Sequence, residues 1–290
     1  MQRKGKMKIG FLTEYSEERV EFAKKAGFDC LEVSVTPGSA LDVRNLTKEK
    51  IERIRKVFTR NEVKISDLAC YFLNHLDPDE KKRKENNEYF ISVLKISKEF
   101  GTNIVTTNTW GDRTRPPKEN LSLYKKVFSE YAKIAEDNGV RIAMENCPHI
   151  NGYPFSIGNI GYSPSIWKLL FEAVPSLAIG LQYDPSHLVW LGIDYLRGIY
   201  DFKERIYSVH AKDTEIIKNN LYKEGILGTN WWRYRLPGLG EINWQKFLGA
   251  LYDIGYQGDI IIELEDPVFC RDRIDEGLKL GLKYLRLFVL

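Results

Sequence analysis

The chain has 290 residues, a length that fits one large α/β domain or two ordinary ones. Its composition is 43% hydrophobic and 29% charged, which is typical of globular proteins and excludes long disordered segments. The net charge of +3 at pH 7 is too balanced for a protein whose affinity comes from neutralising a run of phosphates, so we expect no nucleic-acid partner.

Membrane spans and disulfides are not expected either. No apolar run approaches the roughly 18 residues that cross a bilayer. The basic start of the chain, MQRKGKMKIGFL, has too short an apolar stretch for a signal peptide, which predicts a cytoplasmic protein. The four cysteines are far apart and form no CxxC pair, so we expect buried thiols rather than disulfides or a zinc knuckle; they are Cys30, Cys70, Cys147 and Cys270.

Short β-branched runs alternate with amphipathic segments of helical length along the whole chain, a pattern typical of βαβ units. The eight predicted strands are 8–12, 30–35, 64–70, 104–107, 141–145, 178–183, 206–210 and 259–263. The predicted helices between them include 17–26, 48–60, 83–99, 121–138, 166–173 and 244–252. Glycines that follow helical segments are expected to cap them in the left-handed conformation; these are Gly27, Gly101, Gly139 and Gly255.

Eight strand–helix pairs in a chain of this length predict a single α/β domain, a (β/α)8 TIM barrel, over residues 1–290. The alternative is a doubly wound open sheet. That fold would favour a glycine-rich phosphate-binding turn after an early strand, and neither GxGxxG nor GxxxxGK[ST] is present.

In a TIM barrel the active site lies at the carboxyl ends of the strands, so polar residues at those positions are the first candidates. Four consecutive predicted strands end in such residues: Glu145, Asp184 with His187, His210, and Glu263. Three carboxylates and one imidazole form a mixed oxygen and nitrogen donor set that suits a transition metal. We therefore predict one divalent metal ion, with Mn²⁺ first and Co²⁺, Mg²⁺ or Zn²⁺ as alternatives.

Each of these residues also has a structural interpretation. A histidine at a strand end, such as His75 or His149, could simply bond to the backbone. Asp184 could open a turn before Pro185. Glu265 competes with Glu263 for the ligand role, because alternation along a strand puts both on one side. Four consecutive strands that all end in potential ligands favour the functional interpretation.

Five motifs give the chain a resemblance to the xylose isomerase-like superfamily of sugar isomerases and epimerases, the TIM barrel group that also contains inosose dehydratases and endonuclease IV. They are MENCP at 144–148, YDPSHLVWLGID at 183–194, VHAKD at 209–213, LPGLGEINW at 236–244 and IIELED at 261–266. The resemblance covers nearly the whole chain and implies the superfamily more specifically than any one activity.

The resemblance also implies roles for residues. The metal ligands of the family correspond to Glu145, Asp184, His210 and Glu263, and His187 corresponds to a residue that contacts substrate. In related epimerases two metal-bound glutamates exchange a proton with the substrate across an enediolate, which gives the catalytic roles to Glu145 and Glu263. The trinuclear zinc centre of endonuclease IV needs about as many histidines as the chain has in total, so a one-metal site fits better.

The long segment between His210 and Trp244 contains a cluster of aromatic and basic residues, WWRYR, at 231–235. Tryptophan rings stack on sugars and arginine binds carboxylate or phosphate oxygens, so Trp232 and Arg233 are candidate substrate ligands. The alternative is a cluster that seals the barrel or mediates a homo-oligomer contact. Further candidates for substrate binding are Asn108, Trp110, His149 and Lys212, and Tyr71 and Asn74 could complete the pocket wall. Lys212 could equally be a surface amine.

The sequence therefore predicts a metal-dependent isomerase or epimerase acting on a small-molecule sugar or sugar phosphate. Three alternatives stay open: a dehydratase of the inosose dehydratase kind, an abasic-site endonuclease, and a non-catalytic carbohydrate-binding barrel. The first differs only in the fate of the enediolate, which would expel a β-hydroxyl group.

Overall fold

The computed structural model describes residues 7–151 and 155–289; the basic residues 1–6 lie outside them. Its β-strands are β1 Ile9–Thr13, β2 Cys30–Ser34, β3 Lys64–Ala69, β4 Ile104–Thr107, β5 Arg141–Glu145, β6 Ile150–Asn151, β7 Ser156–Ile157, β8 Ile179–Tyr183, β9 Ile206–Ala211, β10 Asp213–Ile216, β11 Trp232–Arg235 and β12 Ile260–Ile262. Eight of them close a barrel in the order β1-β12-β9-β8-β5-β4-β3-β2, and every neighbouring pair is parallel.

This closed parallel barrel with helices between its strands confirms the predicted (β/α)8 fold. The α-helices are α1 Glu17–Ala26, α2 Lys48–Asn61, α3 Glu80–Ile96, α4 Leu121–Asn138, α5 Pro164–Ala173, α6 Pro185–Trp190, α7 Arg197–Asp201, α8 Lys218–Glu224, α9 Trp244–Asp253 and α10 Ile274–Leu285. The assignment of residues 1–290 to one domain stays a prediction.

Helix ends follow local sequence signals. Ser16 caps α1 by accepting a hydrogen bond from the backbone N–H of Arg19, and Asp79 caps α3 in the same way from Lys81 and Lys82. Gly27, at a φ of 89°, ends α1 in the left-handed conformation predicted for it. The other three predicted capping glycines also have positive φ: Gly101, Gly139 and Gly255.

The core lies between the barrel and its helical layer. Strand residues such as Ile9 and Phe11 are fully buried, and so are helix residues such as Trp167 and Phe247. Because parallel strands covered by helices lose both faces to the interior, they consist of almost continuous apolar residues. The polar residues that interrupt them are therefore the exceptions that need an explanation.

Strand register brings the candidate ligands to one level of the barrel. Glu145 is paired with Gln182, two positions before Asp184, and His210 is paired with Ile261, two positions before Glu263. The strands β8 and β9, which carry Asp184 and His210, are neighbours, and Tyr183 is paired with Val209. The carboxyl ends of β5, β8, β9 and β12 consequently converge on the same mouth of the barrel.

The segment between His210 and Trp244 is more regular than its sequence indicates. Strands β10 and β11 form an antiparallel hairpin in which Asp213 is paired with Arg235 and Ile216 with Trp232, and α8 lies between them. The predicted aromatic and basic cluster therefore lies on a strand, where alternate side chains point to opposite faces.

Asp213 ties this hairpin to the barrel. Its carboxylate accepts hydrogen bonds from the backbone N–H groups of Gly238 (3.0 Å) and Ile242 (3.1 Å) and from Nε1 of Trp244 (2.9 Å). A Cβ at Gly240 would lie 2.3 Å from Oδ1 of Asp213, so only glycine fits there. These contacts give the VHAKD and LPGLGEINW motifs a shared structural role.

Two further sequence expectations can be compared with the described residues. In them, no helix has the length and apolarity that a membrane crossing requires. All four cysteines are free thiols; Cys30 and Cys70 are buried as predicted, but Cys147 and Cys270 are only half-buried.

Candidate metal centre

Four polar residues from four neighbouring strands meet at the barrel mouth. Glu145 is the last residue of β5, Asp184 follows β8 directly, His210 lies near the end of β9, and Glu263 follows β12. One potential ligand atom of each lies within 4.8 Å of those of the other three. Glu145, Asp184 and His210 are buried, and the side chain of Glu263 is 17% exposed.

The two carboxylate oxygens of Asp184 have different surroundings. Oδ1 accepts a hydrogen bond from the backbone N–H of Ser186 (2.8 Å) and so caps α6. Oδ2 is buried, makes no aligned hydrogen bond, and lies 3.2 Å from Nε2 of His187 and 3.3 Å from Nζ of Lys212. A metal ion at the cluster would give this oxygen the direct bond that it lacks. Asp184 thus has the turn role considered from the sequence and an oxygen available to a metal ion as well.

His210 has one satisfied ring nitrogen and one unsatisfied nitrogen. Nε2 lies 2.9 Å from Oε2 of Glu32, and a proton on Nε2 would be donated to this carboxylate oxygen. Nδ1 lies 3.1 Å from Glu263 and 3.7 Å from Glu145 but makes no aligned hydrogen bond. A ring that donates from one nitrogen to a carboxylate and leaves the other free is the arrangement common to metal-bound histidines.

The carboxylate of Glu32 is held by a buried polar network that the sequence analysis did not identify. It accepts hydrogen bonds from Tyr71 Oη (2.7 Å), from Thr106 Oγ1 (2.7 Å) and from Nε2 of Gln182 (3.0 Å). Glu32 itself is fully buried. The signal available in the sequence was an acidic residue inside an otherwise apolar strand, CLEVS, but nothing local connects it with His210.

Lys212 supplies positive charge to this acidic site. Its Nζ lies 2.6 Å from Glu263, 2.7 Å from Glu265 and 3.3 Å from Asp184, and the side chain is 1% exposed. The alternative of a surface amine is therefore wrong. Its predicted role in substrate binding stays a prediction.

The positive neighbours also decide the charge of the two candidate catalytic glutamates. Burial raises the pKa of Glu145, but His187 and His210 lower it more, so the net pKa is well below the ordinary value. Burial likewise raises the pKa of Glu263, and Lys212 and His210 outweigh it. Both side chains are therefore carboxylates at neutral pH, the form in which they can act as a ligand or a base.

Glu263 and Glu265 differ in their position relative to the four-residue cluster. Both bond to Lys212, as expected for residues on one side of a strand. Glu263 belongs to the four-residue cluster and Glu265 does not, and the Glu265 side chain is 46% exposed. The geometry thus favours Glu263 as the ligand, as predicted from its position along the strand.

Besides Lys212, two of the predicted substrate ligands contact the cluster directly. Nε2 of His187 lies 3.3 Å from Glu145 and 3.2 Å from Asp184, while its Nδ1 lies 2.8 Å from the hydroxyl of Tyr234. Nδ2 of Asn108 donates a hydrogen bond to Oε2 of Glu145 (2.7 Å). The substrate-binding roles of both residues stay predictions.

Trp110 and His149 form a second wall beside Glu145. Their ring centroids lie 4.6 Å apart with an angle of 37° between the rings, and each ring has a buried nitrogen without a hydrogen-bond partner, Nε1 of Trp110 and Nε2 of His149. The guanidinium of Arg113 lies 5.0 Å from the Trp110 ring on this side of the mouth.

Trp232 and Arg233 lie further out, on the hairpin. Trp232 stacks on Trp190 at 4.5 Å with an angle of 2° between the rings, and both line a groove of about 1060 Å³. Arg233 donates a hydrogen bond to Glu215 (2.7 Å). Neither residue belongs to the four-residue cluster.

His75 has the structural role considered for it. Nδ1 lies 3.0 Å from the Tyr131 hydroxyl and Nε2 lies 2.8 Å from Oγ1 of Thr107. Since both ring nitrogens are satisfied in the core, His75 has no free donor to offer a ligand.

The donor set of the cluster fits a divalent metal ion. The cluster consists of three carboxylates and one imidazole, and two of its buried ligand atoms make no hydrogen bond and could bind a cation directly. Fold and site together define a (β/α)8 barrel with a candidate metal centre at the carboxyl ends of its strands. Residues 20–287 match the family described as the xylose isomerase-like TIM barrel, and the chain belongs to that family.

Curated relatives span most of the chain at modest identity. The uncharacterized protein YfiH from Bacillus subtilis (strain 168) is 26% identical, over 90% of this chain and 93% of its own. The inosose dehydratase from Geobacillus thermodenitrificans (strain NG80-2) is also 26% identical, over 71% of this chain and 72% of its own.

Solved structures share the fold over nearly the full length. A xylose isomerase domain protein from Planctomyces limnophilus has a TM-score of 0.77 at 16% identity, covering 98% of this chain and 97% of its own. The IolI protein with a bound zinc atom has a TM-score of 0.75 at 20% identity, covering 98% of each chain. D-psicose 3-epimerase in the presence of D-fructose has a TM-score of 0.73 at 17% identity, covering 98% and 99%.

Proposed function

We propose that this protein is a divalent-metal-dependent isomerase or epimerase of a small sugar or sugar phosphate. The metal ligands in this proposal are Glu145, Asp184, His210 and Glu263. The observation that carries it is the pair of buried ligand atoms without hydrogen bonds, Oδ2 of Asp184 and Nδ1 of His210, within a cluster of three carboxylates. The solved neighbours named as an epimerase and as a zinc-bound protein agree with this assignment.

A bound divalent ion would supply Lewis acidity, which makes a hydrogen on the carbon beside a sugar carbonyl easier to remove. The candidate ions, in order of preference, are Mn²⁺, Co²⁺, Mg²⁺ and Zn²⁺, because an oxygen-rich set with one imidazole accommodates each of them.

In the proposed reaction Glu263 removes that proton and leaves an enediolate. For an epimerisation Glu145, a carboxylate at neutral pH, takes up a proton from solvent and delivers it to the opposite face of the enediolate. For an isomerisation the protonated Glu263 returns its proton to the neighbouring carbon. Both carboxylates lie close to Nδ1 of His210, at 3.7 Å for Glu145 and 3.1 Å for Glu263. A substrate held between them could exchange protons with both.

Neighbouring residues support these roles. Lys212 bonds to the Glu263 carboxylate and offers positive charge to a developing oxyanion. His187 is held by the Tyr234 hydroxyl with its other nitrogen directed at Glu145 and Asp184, a position from which it can bond to substrate. The hydrogen bond that Asn108 donates fixes the orientation of the Glu145 carboxylate.

The test is proton exchange in D₂O with a panel of ketoses, their phosphates and keto-inositols, after loading the protein with Mn²⁺. We expect deuterium at a single carbon of the true substrate. Glu263→Gln keeps an oxygen for the metal but cannot accept a proton, so turnover should fall by roughly a hundredfold or more.

Glu265→Gln is the matched control, because it removes a carboxylate that bonds to the same lysine but lies outside the cluster. Its turnover should stay within a few-fold of the wild type. Full activity in excess EDTA, or a larger loss in Glu265→Gln than in Glu263→Gln, would contradict the proposal.

A second candidate, a dehydratase, is favoured by the relatives named inosose dehydratase. The same first step would then be followed by loss of a β-hydroxyl group. Product analysis separates the two, because dehydration releases water and gives an ultraviolet-absorbing enone whereas epimerisation conserves mass.

A further inference from the structure

A second set of metal-binding side chains lies beside the first and shares Glu145 with it. Cys147 and His149 follow Glu145 at every second position in the segment that leaves β5. One potential ligand atom from each of the three lies within 4.8 Å of those of the other two. Cys147 and His149 are half-buried, so the set faces the mouth of the barrel rather than its core.

The imidazole of His149 is an independent sign of a missing ligand. Its ring packs against the tilted ring of Trp110 with the centroids 4.6 Å apart, while its Nε2 is shielded from solvent without a hydrogen-bond partner. Its backbone has a φ of 47°, a left-handed conformation that is uncommon for a residue other than glycine. Such a conformation persists where the surroundings enforce it, and here it keeps the imidazole beside Cys147 and Glu145.

The chemistry of this set differs from that of the four-residue cluster. A thiolate is a soft donor that favours Zn²⁺ over Mn²⁺ or Mg²⁺, and one sulfur, one imidazole and one carboxylate are ordinary zinc ligands. Three protein ligands leave the fourth tetrahedral position open, as in zinc sites that bind water or substrate.

The other cysteines show that thiols in this chain do not generally have such surroundings. Cys30 and Cys70 are fully buried, and Cys270 is half-buried in a groove that Glu263 and Arg271 also line. Among the described residues, the two candidate donor groups contain only one cysteine, Cys147.

We propose that Cys147, His149 and Glu145 form a second metal site, selective for zinc, adjacent to the first. Binding breaks the S–H bond of Cys147, whose proton passes to solvent, and forms a bond from sulfur to zinc. The carboxylate of Glu145 is shared between the two sites, as in two-metal centres where one acid contacts both ions. The inference deepens the proposed function and rests on it only through this shared residue.

The test is metal stoichiometry and absorption of the full-length protein, stripped with a chelator and reloaded with Co²⁺ or Zn²⁺. We expect about two ions per chain and, with Co²⁺, a thiolate-to-cobalt charge-transfer band in the near ultraviolet. Cys147→Ser should lose the band and bind about one ion. Cys270→Ser, a matched control at another half-buried thiol, should keep both.

Two further variants separate this site from the first. The double variant Asp184→Asn, His210→Gln should lose one ion but keep the thiolate band. This readout does not depend on turnover of a sugar. His149→Gln should weaken binding of the second ion by roughly tenfold or more while leaving the first. Binding of a single ion without a thiolate band in the wild type, or an unchanged band in Cys147→Ser, would overturn the proposal.

Discussion

Two fully buried histidines of this barrel, His75 in a turn after β3 and His210 near the end of β9, have opposite surroundings. His75 bonds through both ring nitrogens, to the hydroxyls of Tyr131 and Thr107. His210 bonds through one nitrogen to Glu32 and leaves the other, Nδ1, among carboxylates without an aligned hydrogen bond. Both are equally shielded from water.

The difference shows that burial does not separate a structural histidine from a functional one, whereas hydrogen-bond satisfaction does. A ring with two neutral partners is stable without a ligand, and its environment penalises a charge. A ring with a carboxylate on one side, and on the other a nitrogen that lies among carboxylates without a hydrogen bond, can bind either a second proton or a metal ion at that nitrogen. The predictions below test this distinction.

The largest contrast is expected for metal binding. His210→Gln should abolish uptake of the first metal ion, because it removes the only imidazole of the four-residue cluster. In the wild type, ion at a hundredfold excess over its Kd should raise the free energy of unfolding by about 2.7 kcal/mol, and this gain should vanish in the variant. Thermal or denaturant unfolding with and without Mn²⁺ measures it.

His75→Gln is the matched variant for that experiment. It should lower the free energy of unfolding by roughly 1–3 kcal/mol, because a buried hydroxyl of Tyr131 or Thr107 loses its partner. Its stabilisation by Mn²⁺ should equal that of the wild type. If His75→Gln lost metal binding instead, the distinction between the two histidines would be wrong.

A smaller effect is expected one contact away from the metal. Glu32→Gln keeps the shape of the side chain but replaces the carboxylate that bonds to Nε2 of His210. Metal affinity should fall by about 10- to 100-fold, the usual effect of such outer partners. Isothermal titration with Mn²⁺ measures the change.

The control for Glu32→Gln is Asp67→Asn. Asp67 is another buried acid in the barrel, but its carboxylate bonds to Ser208 (2.7 Å) and not to the ring of His210. Its metal affinity should stay close to that of the wild type. Equal losses in both variants would mean that general packing of the barrel, and not the contact to His210, sets the affinity.

The two histidines also predict different acid behaviour. Burial lowers the pKa of His75 from 6.5 to about 3. Because the unfolded chain then binds a proton that the folded chain excludes, this residue destabilises the fold as the pH falls from about 6.5 toward 3. At pH 5 the loss should be about 2 kcal/mol, at about 1.4 kcal/mol per pH unit.

His75→Gln removes this titration, so its unfolding free energy should fall less than that of the wild type between pH 7 and pH 5. Measuring the difference between the two slopes cancels the other titrating groups. If the unfolding free energies of the two proteins depended on pH in the same way, His75 would accept a proton in the folded protein, which would contradict its lowered pKa.

Much of the fold follows from local sequence. The predicted bounds of the eight barrel strands agree with the structure to within one residue at each end, because β-branched runs between helices and glycine caps mark them clearly. The hairpin of β10 and β11 was missed. Its strands are only four residues long and carry charged residues, so their alternation is too short to distinguish from a loop.

The ligand cluster was predictable for the same reason as the strands. In a parallel barrel every carboxyl end faces one mouth, so acids and histidines at strand ends must converge. Glu32 was not predictable in this way, because its partner is 178 positions away and lies inside the barrel. The half-buried state of Cys147 was also unexpected, since an apolar thiol next to a strand is usually buried.

The smallest predicted effect concerns the hairpin above the site. Trp232 stacks on Trp190 and lines the groove beside the mouth. If this wall binds a sugar, Trp232→Ala should raise the Michaelis constant by about tenfold, equivalent to about 1.4 kcal/mol, with little change in kcat. Trp232→Phe keeps an aromatic face and should recover most of the loss. Tyr222→Ala, at a side chain 89% exposed on α8, serves as the surface control. Unchanged kinetics together with a shift from dimer to monomer would instead assign the stacked pair to a subunit contact, and the substrate wall would have to be sought on the side of Trp110 and His149.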